Sequence, residues 1–374
     1  MIRIGITGQA GFVGTHLWNH LGLLPEVFER IPFEDAYFTC EDVLRNFVRS
    51  CDVIIHLAAM NRYPDLQVIY DTNLLLAKQL IQAMEAENVA PYVLFSSSTQ
   101  EEQDNLYGKS KKEGRELFEG WAKQCGASFT GMIVPNVYGP FSKPYYNTFI
   151  ATFAYQLIHG ETPEIKVDGD IKLIYVSSLC EFIISKIRNN QKGLIERIEI
   201  PCDFESKVSA ILEKFKYYNS HYVNDGIIPE LKDRIDVSLF NTFRSFLDHS
   251  QRYPVMLKKN IDQRGVFVET IKLGVGGQVS FSTTVPGITR GNHYHTRKVE
   301  RFTVIKGNAR IQLRKIGTVV VMEFFLDGNN PSYVDMPVWY THNITNIGED
   351  ELYTQFWINE WYNPEDGDTY FEEV

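Results

Sequence analysis

The chain has 374 residues, of which 44% are hydrophobic and 22% are charged. This composition is typical of a soluble globular protein, and the length predicts two or three domains rather than a single core. The 47 acidic residues outnumber the 37 basic ones and give a formal net charge of −10. That excess argues against nucleic acid or an anionic membrane surface as a partner.

Neither a targeting segment nor a disulfide framework is indicated. No run of 18 or more apolar residues occurs, and the N-terminal MIRIGITG leads into a strand and a glycine loop without a signal-peptide profile. The five cysteines are scattered and form no CxxC pair, which predicts buried free thiols. We therefore expect a cytoplasmic protein without a membrane partner.

The first predicted element is a strand over residues 2–7, IRIGIT, followed at once by a glycine loop and a helical pattern. The loop carries Gly8, Gly11 and Gly14 in the spacing GxxGxxG. A glycine-rich turn before a helix lets backbone amides at the helix N-terminus hold a pyrophosphate, where the helix dipole favours negative charge. The loop predicts a dinucleotide site, with an ordinary tight turn as the alternative.

Two continuous apolar runs, residues 51–59 and 91–98, predict further strands that are buried on both faces. Because the helical pattern NLLLAKQLIQAMEAEN lies between them, the predicted fold class is α/β, a Rossmann-type doubly wound parallel sheet. Ligands of such sheets lie beyond the carboxyl ends of the strands. Gly8, residues 56–60 and residues 96–98 are all expected there.

Tyr107 and Lys111, in YGKSK, stand four residues apart on the helix predicted after the serine-ended strand, so their side chains share one face. A phenol with a pKa of about 10 is a poor acid–base catalyst, and a nearby lysine charge is expected to lower that pKa. Tyr107 could then give a proton to a ketone oxygen as hydride reaches the carbon. The pattern predicts carbonyl reduction, although YxxxK recurs at Tyr294 and Lys298.

Taken in order, GxxGxxG, HLAA, SSS and YxxxK resemble an extended short-chain dehydrogenase/reductase of the nucleotide-sugar type over roughly residues 1–245. The resemblance implies that Ser98, or alternatively Ser97, holds the carbonyl oxygen beside Tyr107 and Lys111. The cofactor-binding residues that it implies are Gly8, Gly11, Phe12, Val13, Gly14, Leu57, Ala58, Ala59, Tyr107 and Lys111, and the substrate-binding residues are Asn136, Lys143 and Asn147.

Residues outside the predicted substrate segment, PNVYGP, depart from this family. Asn136 matches the start of the family's sugar-nucleotide pocket, although a loop turn would explain it as well. Ile133 and Val134 stand where an arginine is common, and Ser178 replaces an aspartate that is usual after YVS. We therefore expect some substrate contacts to differ.

The second strand, expected at residues 26–31, bears on the choice between NAD and NADP. A carboxylate at its end binds the ribose hydroxyls of NAD, whereas an arginine accepts the 2′-phosphate of NADP. Glu29 and Arg30 both occur there, and strand alternation lets only one of them meet the ribose. We favour NADPH, with Arg30 as the contact.

Residues 203–250 read as helices with charged faces, and the segment QRYPVML, 251–257, is the expected hinge. We predict a cofactor-binding domain over residues 1–250 and a second domain over residues 251–374. Seven short β-type segments separated by turn signals follow the hinge, which predicts an all-β antiparallel barrel or jelly roll.

The second domain carries a histidine motif in GITRGNHYHTRKVERFTVIKG, residues 287–307. His293 and His295, two apart in a strand, face the same way, while Glu300 and His342 can return on neighbouring strands. Three nitrogens and one oxygen make an open site for a divalent metal, and manganese, iron and nickel are among the metals that suit it. Surface histidines on a hairpin are the alternative.

This ligand set resembles the metal site of a cupin, a jelly-roll barrel. Two positions depart from the second cupin motif, because Trp339 stands where glycine is usual and Pro331 replaces its leading glycine. We expect the four ligands to be retained and the rim of the site to differ.

Nearly the whole chain, including DQRGVFVE, PGITRGNHYH, DMPVWYTHNI and the C-terminal DTYFEEV, resembles the bifunctional enzymes of bacterial capsule and O-antigen synthesis. These are UDP-2-acetamido-2,6-dideoxy-hexulose reductases with a fused cupin 3-epimerase. The resemblance implies NADPH, zinc in the cupin, a homodimer, and a UDP-linked 4-keto-6-deoxy-N-acetylhexosamine as substrate. The implied product is UDP-2-acetamido-2,6-dideoxy-L-talose, on the route to UDP-N-acetyl-L-fucosamine.

The implied reactions have a required order. The C3 proton of a hexose is acidic only while C4 is a ketone, so epimerisation precedes reduction. All three histidines after residue 250 belong to the predicted metal set. The base is therefore left open among a metal-bound water, Lys258, Lys259, Asp262, Tyr340 and any other side chain in reach. A reductase whose cupin serves only structure or dimerisation remains the alternative function.

Overall fold

The structure is a computed structural model that describes residues 1–146 and 148–374. Asn147, one of the predicted substrate residues, lies outside the described residues. Contacts within the described chain separate two compact units. The first unit comprises Met1–Thr152 and Ile165–Val208, and the second comprises Phe153–Glu164 and Ser209–Val374.

The first unit contains nine strands: β1 Ile2–Thr7, β2 Phe28–Ile31, β3 Val53–His56, β4 Tyr92–Ser98, β5 Phe129–Val134, β6 Asn136–Tyr138, β7 Asp170–Tyr175, β8 Ile195–Glu199 and β9 Phe204–Lys207. The α-helices of the described chain are α1 Phe12–Gly22, α2 Glu41–Arg49, α3 Leu66–Ala86, α4 Leu106–Cys125, α5 Phe149–Ile158, α6 Val176–Arg188, α7 Val208–Tyr218, α8 Arg234–Arg244 and α9 His249–Arg252.

Six parallel strands form the central sheet of the first unit, in the order β2-β1-β3-β4-β5-β8. Both faces of this sheet are buried. Ile55 packs with residues of α1 and α6 on one face, whereas its neighbour Ile54 packs with residues of α2, α3 and α4 on the other. The predicted Rossmann-type doubly wound sheet is confirmed. Strands β6, β7 and β9 form a small separate sheet.

The second unit is rich in strands: β10 Ile227–Ile228, β11 Val255–Met256, β12 Lys259–Asp262, β13 Gly265–Val268, β14 Lys272–Leu273, β15 Gln278–Thr284, β16 Thr289–Tyr294, β17 Glu300–Lys306, β18 Asn308–Lys315, β19 Val321–Asp327, β20 Ser332–Met336, β21 Tyr340–Asn346, β22 Leu352–Ile358 and β23 Tyr370–Phe371.

Two five-stranded antiparallel sheets build the barrel of the second unit, in the orders β11-β20-β17-β22-β15 and β19-β18-β21-β16-β23. Alternate side chains of the two sheets meet in one core, which includes Phe302, Ile311, Val334 and Ile344. The predicted all-β jelly-roll domain is confirmed.

Residues 209–250 group with the barrel. Asn241 of α8 donates a hydrogen bond to the carbonyl oxygen of Arg297 at 2.7 Å, and Arg244 donates to that of Met336 at 2.9 Å. The predicted domain boundary between residues 250 and 251 stays a prediction, while the compact units change over at Val208 and Ser209.

The five cysteines are free, but Cys40 and Cys125 are exposed rather than buried. Within the described ranges, 1–146 and 148–374, no helix is long and apolar enough to cross a membrane.

Candidate active site and candidate metal centre

A cavity of about 830 Å³ opens at the carboxyl ends of β1, β3 and β4 in the first unit. This is where a doubly wound sheet binds its ligand, and the volume lies in the range of cofactor sites. Most of the predicted cofactor residues line it. The predicted site residues in its wall are Gly8, Gly11, Phe12, Val13, Gly14, Leu57, Ala58, Ala59, Tyr107, Lys111 and Lys143.

The glycine loop is tightly folded against the start of α1. Gly8 adopts a left-handed φ of +73°, and its carbonyl oxygen accepts from the N–H of Gly11 at 3.0 Å. A Cβ atom on Gly14 would lie 2.3 Å from the same carbonyl oxygen. No described side chain caps the first N–H groups of the helix, so these amides are suited to a phosphate group.

Tyr107 and Lys111 lie one turn apart at the start of α4, and both line the cavity. Burial, helped by nearby Tyr146, raises the pKa of Tyr107 to about 12. The expected lowering of this pKa is therefore wrong for this arrangement, because burial disfavours the charged phenolate. Burial also lowers the pKa of Lys111 to about 8, although Glu101 opposes the shift. At neutral pH both side chains are mainly protonated.

The three serines at the end of β4 have different surroundings. Ser96 lines the cavity. The Ser97 hydroxyl is buried and donates to the Glu101 carboxylate, whereas the Ser98 hydroxyl accepts from the N–H of Gln100 at 3.2 Å. Because neighbouring strand residues face opposite ways, Ser97 points away from the side of the sheet that Ser96 faces.

Two other predicted residues lie outside the cavity wall. Arg30 is exposed, donates to the carbonyl oxygen of Trp18 at 3.0 Å, and stacks its guanidinium 4.6 Å from the centre of the indole ring. Asn136 is exposed and donates to the carbonyl oxygen of Lys172 at 3.3 Å. Their roles in binding cofactor and substrate stay predictions.

Sequence reasoning missed several residues of the cavity wall, among them Asn61, Thr72 and Tyr146. Asn61 could have been found, since it lies two residues after the HLAA motif at the end of a strand. Thr72 is a residue of α3 without any motif. Tyr146 is placed by its loop, where the ammonium group of Lys143 lies 5.2 Å from the centre of its ring.

In the second unit, the structure brings His293, His295, Glu300 and His342 together, with one ligand atom of each within 4.8 Å of the others. Strand pairing explains the cluster. His293 on β16 pairs directly with His342 on β21, His295 follows the end of β16, and Glu300 begins β17. All but His293 are fully buried.

The hydrogen bonds of this cluster fit a cation. His295 Nδ1 lies 2.5 Å from the carbonyl oxygen of Asp368, and His342 Nδ1 lies 3.2 Å from that of Tyr340. Because a carbonyl oxygen can only accept, each Nδ1 carries the proton and each Nε2 a lone pair. Both Nε2 atoms face the same Glu300 oxygen, at 3.1 and 3.2 Å. Facing lone pairs repel unless a positive charge lies between them, so the donor set suits a divalent metal.

The pKa shifts differ among the members of the cluster. Burial, helped by the neighbouring imidazoles, lowers the pKa of His293 to about 4. Burial alone would raise the pKa of Glu300, but His295 and His342 hold it well below its usual range. Burial opposes the charge of His295, but the hydrogen bond and the charge of Glu300 raise the pKa of this imidazole overall. Neutral imidazole and ionised carboxylate are the forms that bind metal, so a metal would have to replace any proton that His295 shares with Glu300.

The departures from the cupin pattern have structural counterparts. Trp339 is buried at 1% exposure and has a left-handed φ of +60°, the conformation that glycine adopts easily. Its N–H donates to the carbonyl oxygen of His295 at 2.8 Å, and its ring stacks on Tyr294 at 5.7 Å between centres. The carbonyl oxygen of Pro331 accepts from the N–H of Leu257 at 2.9 Å.

Comparison with protein families gives two matches. Residues 4–199 match the NAD dependent epimerase/dehydratase family, and residues 260–370 match the polysaccharide biosynthesis C-terminal domain. The spore coat polysaccharide biosynthesis protein SpsL of Bacillus subtilis is 27% identical over 124 residues, which cover 30% of this chain and 81% of SpsL.

Two relatives align over nearly the whole chain. The UDP-2-acetamido-2,6-beta-L-arabino-hexul-4-ose reductase of Pseudomonas aeruginosa is 32% identical over 99% of this chain and 98% of its own. The crystal structure of the capsular polysaccharide assembling protein CapF from Staphylococcus aureus is 31% identical, with both chains fully covered and a TM-score of 0.62.

A second structure, RMD from Pseudomonas aeruginosa in complex with NADPH, is 21% identical and covers 66% of this chain and 99% of its own, with a TM-score of 0.56. This likeness shows a shared fold. With its glycine-loop cavity, its histidine–glutamate cluster and its full-length relatives, the chain belongs to the NAD dependent epimerase/dehydratase family, and within it to the group of the UDP-2-acetamido-2,6-beta-L-arabino-hexul-4-ose reductase, which carries a C-terminal polysaccharide biosynthesis domain.

Proposed function

We propose that the chain is a bifunctional sugar-nucleotide enzyme. The second unit epimerises C3 of a UDP-linked 4-keto-6-deoxy-N-acetylhexosamine, and the first unit reduces the C4 ketone with NADPH to give UDP-2-acetamido-2,6-dideoxy-L-talose, on the route to UDP-N-acetyl-L-fucosamine. One observation carries the proposal, namely that a tyrosine–lysine pair lining a dinucleotide-type cavity and a His₃Glu cluster occur in one chain. The named activity of the Pseudomonas aeruginosa relative supports the substrate class.

In the reductase step, Tyr107 donates the proton. Its phenol has a pKa of about 12 and is therefore protonated before the reaction. The Lys111 ammonium group lies on the same helix face and stabilises the phenolate that proton transfer leaves behind. A serine hydroxyl holds the ketone oxygen, with Ser98 as the predicted residue and Ser96 as the one that lines the cavity. The glycine loop would hold the pyrophosphate of NADPH, which would supply the hydride.

In the epimerase step, the second unit acts while C4 is still a ketone, because only then is the C3 proton acidic. A divalent metal would be held by His293, His295, Glu300 and His342, and the family resemblance favours zinc. When bound there, it would supply positive charge to stabilise the negative charge that develops on the C4 oxygen. Reduction at C4 then fixes the new configuration.

The positions of the candidate residues reduce the choice of base for the epimerase step. Asp262 lies on the exposed hairpin of β12 and β13, paired with Arg264 at 2.6 Å, and Lys259 is held by Asn330 at 2.8 Å. Tyr340 is partly buried and stands two residues before His342 on the same face of β21. Among the candidates with described contacts, position favours Tyr340, although burial raises the pKa of this phenol.

We further propose that the enzyme is a cytoplasmic homodimer, as the family resemblance implies. Light scattering on the purified protein tests the dimer, and fractionation of the native cells tests the location. A monomer at working concentration or a secreted protein would contradict these two statements.

The test of the bifunctional proposal is proton exchange. The metal-loaded enzyme is incubated with the UDP-linked 4-keto sugar in deuterated water without NADPH, before and after chelation. We expect deuterium at C3 before chelation and none after it, measured by mass spectrometry and NMR. NADPH is then added to score reduction at C4. Reduction without any C3 exchange would favour the alternative, a ketoreductase whose barrel serves structure or dimerisation.

A further inference from the structure

The segment just before β23 is joined to the loop that carries the metal-cluster residue His295. Asp368, at 4% exposure, places its carboxylate against three successive backbone N–H groups, those of Thr296, Arg297 and Lys298, each at 3.0 Å. The same carboxylate accepts from the Thr296 hydroxyl at 2.6 Å. One side chain therefore fixes the backbone that follows His295.

The backbone of Asp368 makes the next contact. Its carbonyl oxygen accepts from His295 Nδ1 at 2.5 Å, which turns Nε2 toward Glu300. A hydrogen bond to the far ring nitrogen of a histidine ligand sets both the tautomer and the ring direction. His342 obtains the same restraint within its own strand, from Tyr340. His295 depends on a residue that lies 73 positions away.

The conformation of Asp368 is an unusual one for aspartate. Its φ of +39° lies in the left-handed region, which non-glycine residues seldom adopt unless their surroundings hold them there. A buried neighbour adds a further contact, since Lys298 Nζ donates to the carbonyl oxygen of Gly367 at 2.5 Å. Strain that is maintained by this many contacts indicates a position with a task.

We propose that Asp368 is a positioning residue of the metal centre, whose carboxylate holds the 296–298 turn so that its own carbonyl oxygen keeps the His295 Nε2 lone pair aimed at the metal. The inference rests on the proposed metal centre and deepens it. It assigns the C-terminal segment to the metal site, although no residue there is a ligand.

Three variants separate this role from a structural one. Asp368→Gly removes the carboxylate while glycine keeps the left-handed backbone available. Asp368→Asn retains one acceptor oxygen and is the conservative rescue. Asp366→Ala, which removes an exposed ion pair with Arg297 from the same segment, is the matched control.

The first measurement is titration of the metal-free full-length protein with Co²⁺, followed by its visible absorption. We expect Asp368→Gly to weaken Co²⁺ binding by about 10–100-fold and to change the spectrum, as loss of a partner behind a ligand does. Asp368→Asn is expected to fall between this variant and the wild type, and Asp366→Ala to match the wild type.

The second measurement needs no metal. Nitrogen-15 NMR of the metal-free protein reports the tautomer of His295, and we expect the Nδ1–H form to dominate in the wild type and to lose population in Asp368→Gly. Unchanged Co²⁺ affinity and unchanged tautomer in Asp368→Gly, even with a lower melting temperature, would overturn the inference alone. A wild type that binds no Co²⁺ would overturn the metal centre and this inference together.

Discussion

The cavity of the first unit and the metal cluster of the second use different chemical groups. At the glycine loop the cavity is lined by backbone, and a side chain at Gly14 would collide with the Gly8 carbonyl oxygen. The metal cluster is made of side chains, and three of its four members are fully buried. A site for phosphate can be made from amides at a helix start, whereas a site for a divalent metal needs ionised or lone-pair groups.

Both sites contain left-handed backbone at non-glycine residues. In the first unit Phe141, with a φ of +65°, lines the cavity together with Gly8, and in the barrel the conformation falls on Trp339 and Asp368. Non-glycine residues tolerate it when packing and hydrogen bonds compensate. The barrel differs in that both of its residues hydrogen-bond to one member of the metal cluster, His295.

The strongest test of the comparison between the two sites is a change that removes one activity and leaves the other. Tyr107→Phe takes away the proton donor of the cavity, and we expect ketone reduction to slow by about 10²–10⁴-fold. C3 deuterium exchange is expected to continue. NADPH absorbance and mass spectrometry measure the two reactions.

Tyr70→Phe is the control for that experiment, because Tyr70 is another tyrosine of the first unit and bonds to Glu113 at 2.6 Å. It is expected to reduce the ketone at the wild-type rate. If Tyr107→Phe also retains this rate, the cavity carries out its reaction by another proton donor.

Glu300→Gln is expected to do the opposite, removing C3 exchange while leaving the cavity of the first unit intact. This change removes the negative charge that faces two histidine lone pairs, and we expect C3 exchange to fall by more than about 100-fold, beyond the loss caused by removing a more distant partner. Metal content by mass spectrometry is expected to fall as well, while NADPH binding stays unchanged. Glu323→Gln, on β19 beside Arg310, is the control. Full exchange in metal-poor Glu300→Gln protein would make the metal structural.

The sequence predicted those parts of each site that are local in the chain. The glycine loop, the Tyr107–Lys111 pair and the four cluster residues each come from short motifs on one or two elements, where strand and helix periods decide which side chains meet. Three of the four cluster residues fall within eight positions of one another, His293 to Glu300.

The parts that the sequence missed depend on how individual side chains are hydrogen-bonded and buried in the folded chain. Ser96 rather than Ser98 lines the cavity, because Ser98 bonds to the turn that follows β4. Asp368 restrains His295 through a backbone carbonyl, which no residue pattern encodes. Tyr107 was expected to have a lowered pKa, but a helix pattern cannot show how deeply the phenol is buried.

The cost of left-handed backbone at Trp339 is tested by Trp339→Gly. Glycine would relieve about 1 kcal/mol of left-handed strain. Loss of a buried tryptophan costs about 3–5 kcal/mol, so we expect the free energy of unfolding to fall by a net of about 2–4 kcal/mol. Chemical denaturation measures it. A more stable Trp339→Gly protein would mean that strain, rather than packing, dominates at this position.

The predicted NADPH contact is tested by Arg30→Ala. Arg30 lies on Trp18 in the structure, so it must leave the indole ring to meet a 2′-phosphate. A charge-assisted contact contributes about 1.5–3 kcal/mol, which predicts a rise of roughly 10–100-fold in the KM for NADPH and no change for NADH. Glu29→Ala, its exposed neighbour on β2, is the control. An unchanged preference for NADPH, or equal turnover with NADH before mutation, would exclude this role.

The smallest expected effect comes from pH and concerns the cavity alone. Burial lowers the pKa of Lys111 to about 8, so its charge is present below that pH and is lost as the pH rises through it. Because this charge stabilises the Tyr107 phenolate, kcat/KM for reduction is expected to fall by about tenfold per pH unit above 8. Lys111→Arg, which stays charged, is expected to lose this alkaline limb at a lower overall rate. C3 exchange measured over the same range serves as the control, because its proposed base lies in the other unit. A parallel alkaline loss of both activities would place the titrating group outside the cavity and remove the proposed role of the lysine charge.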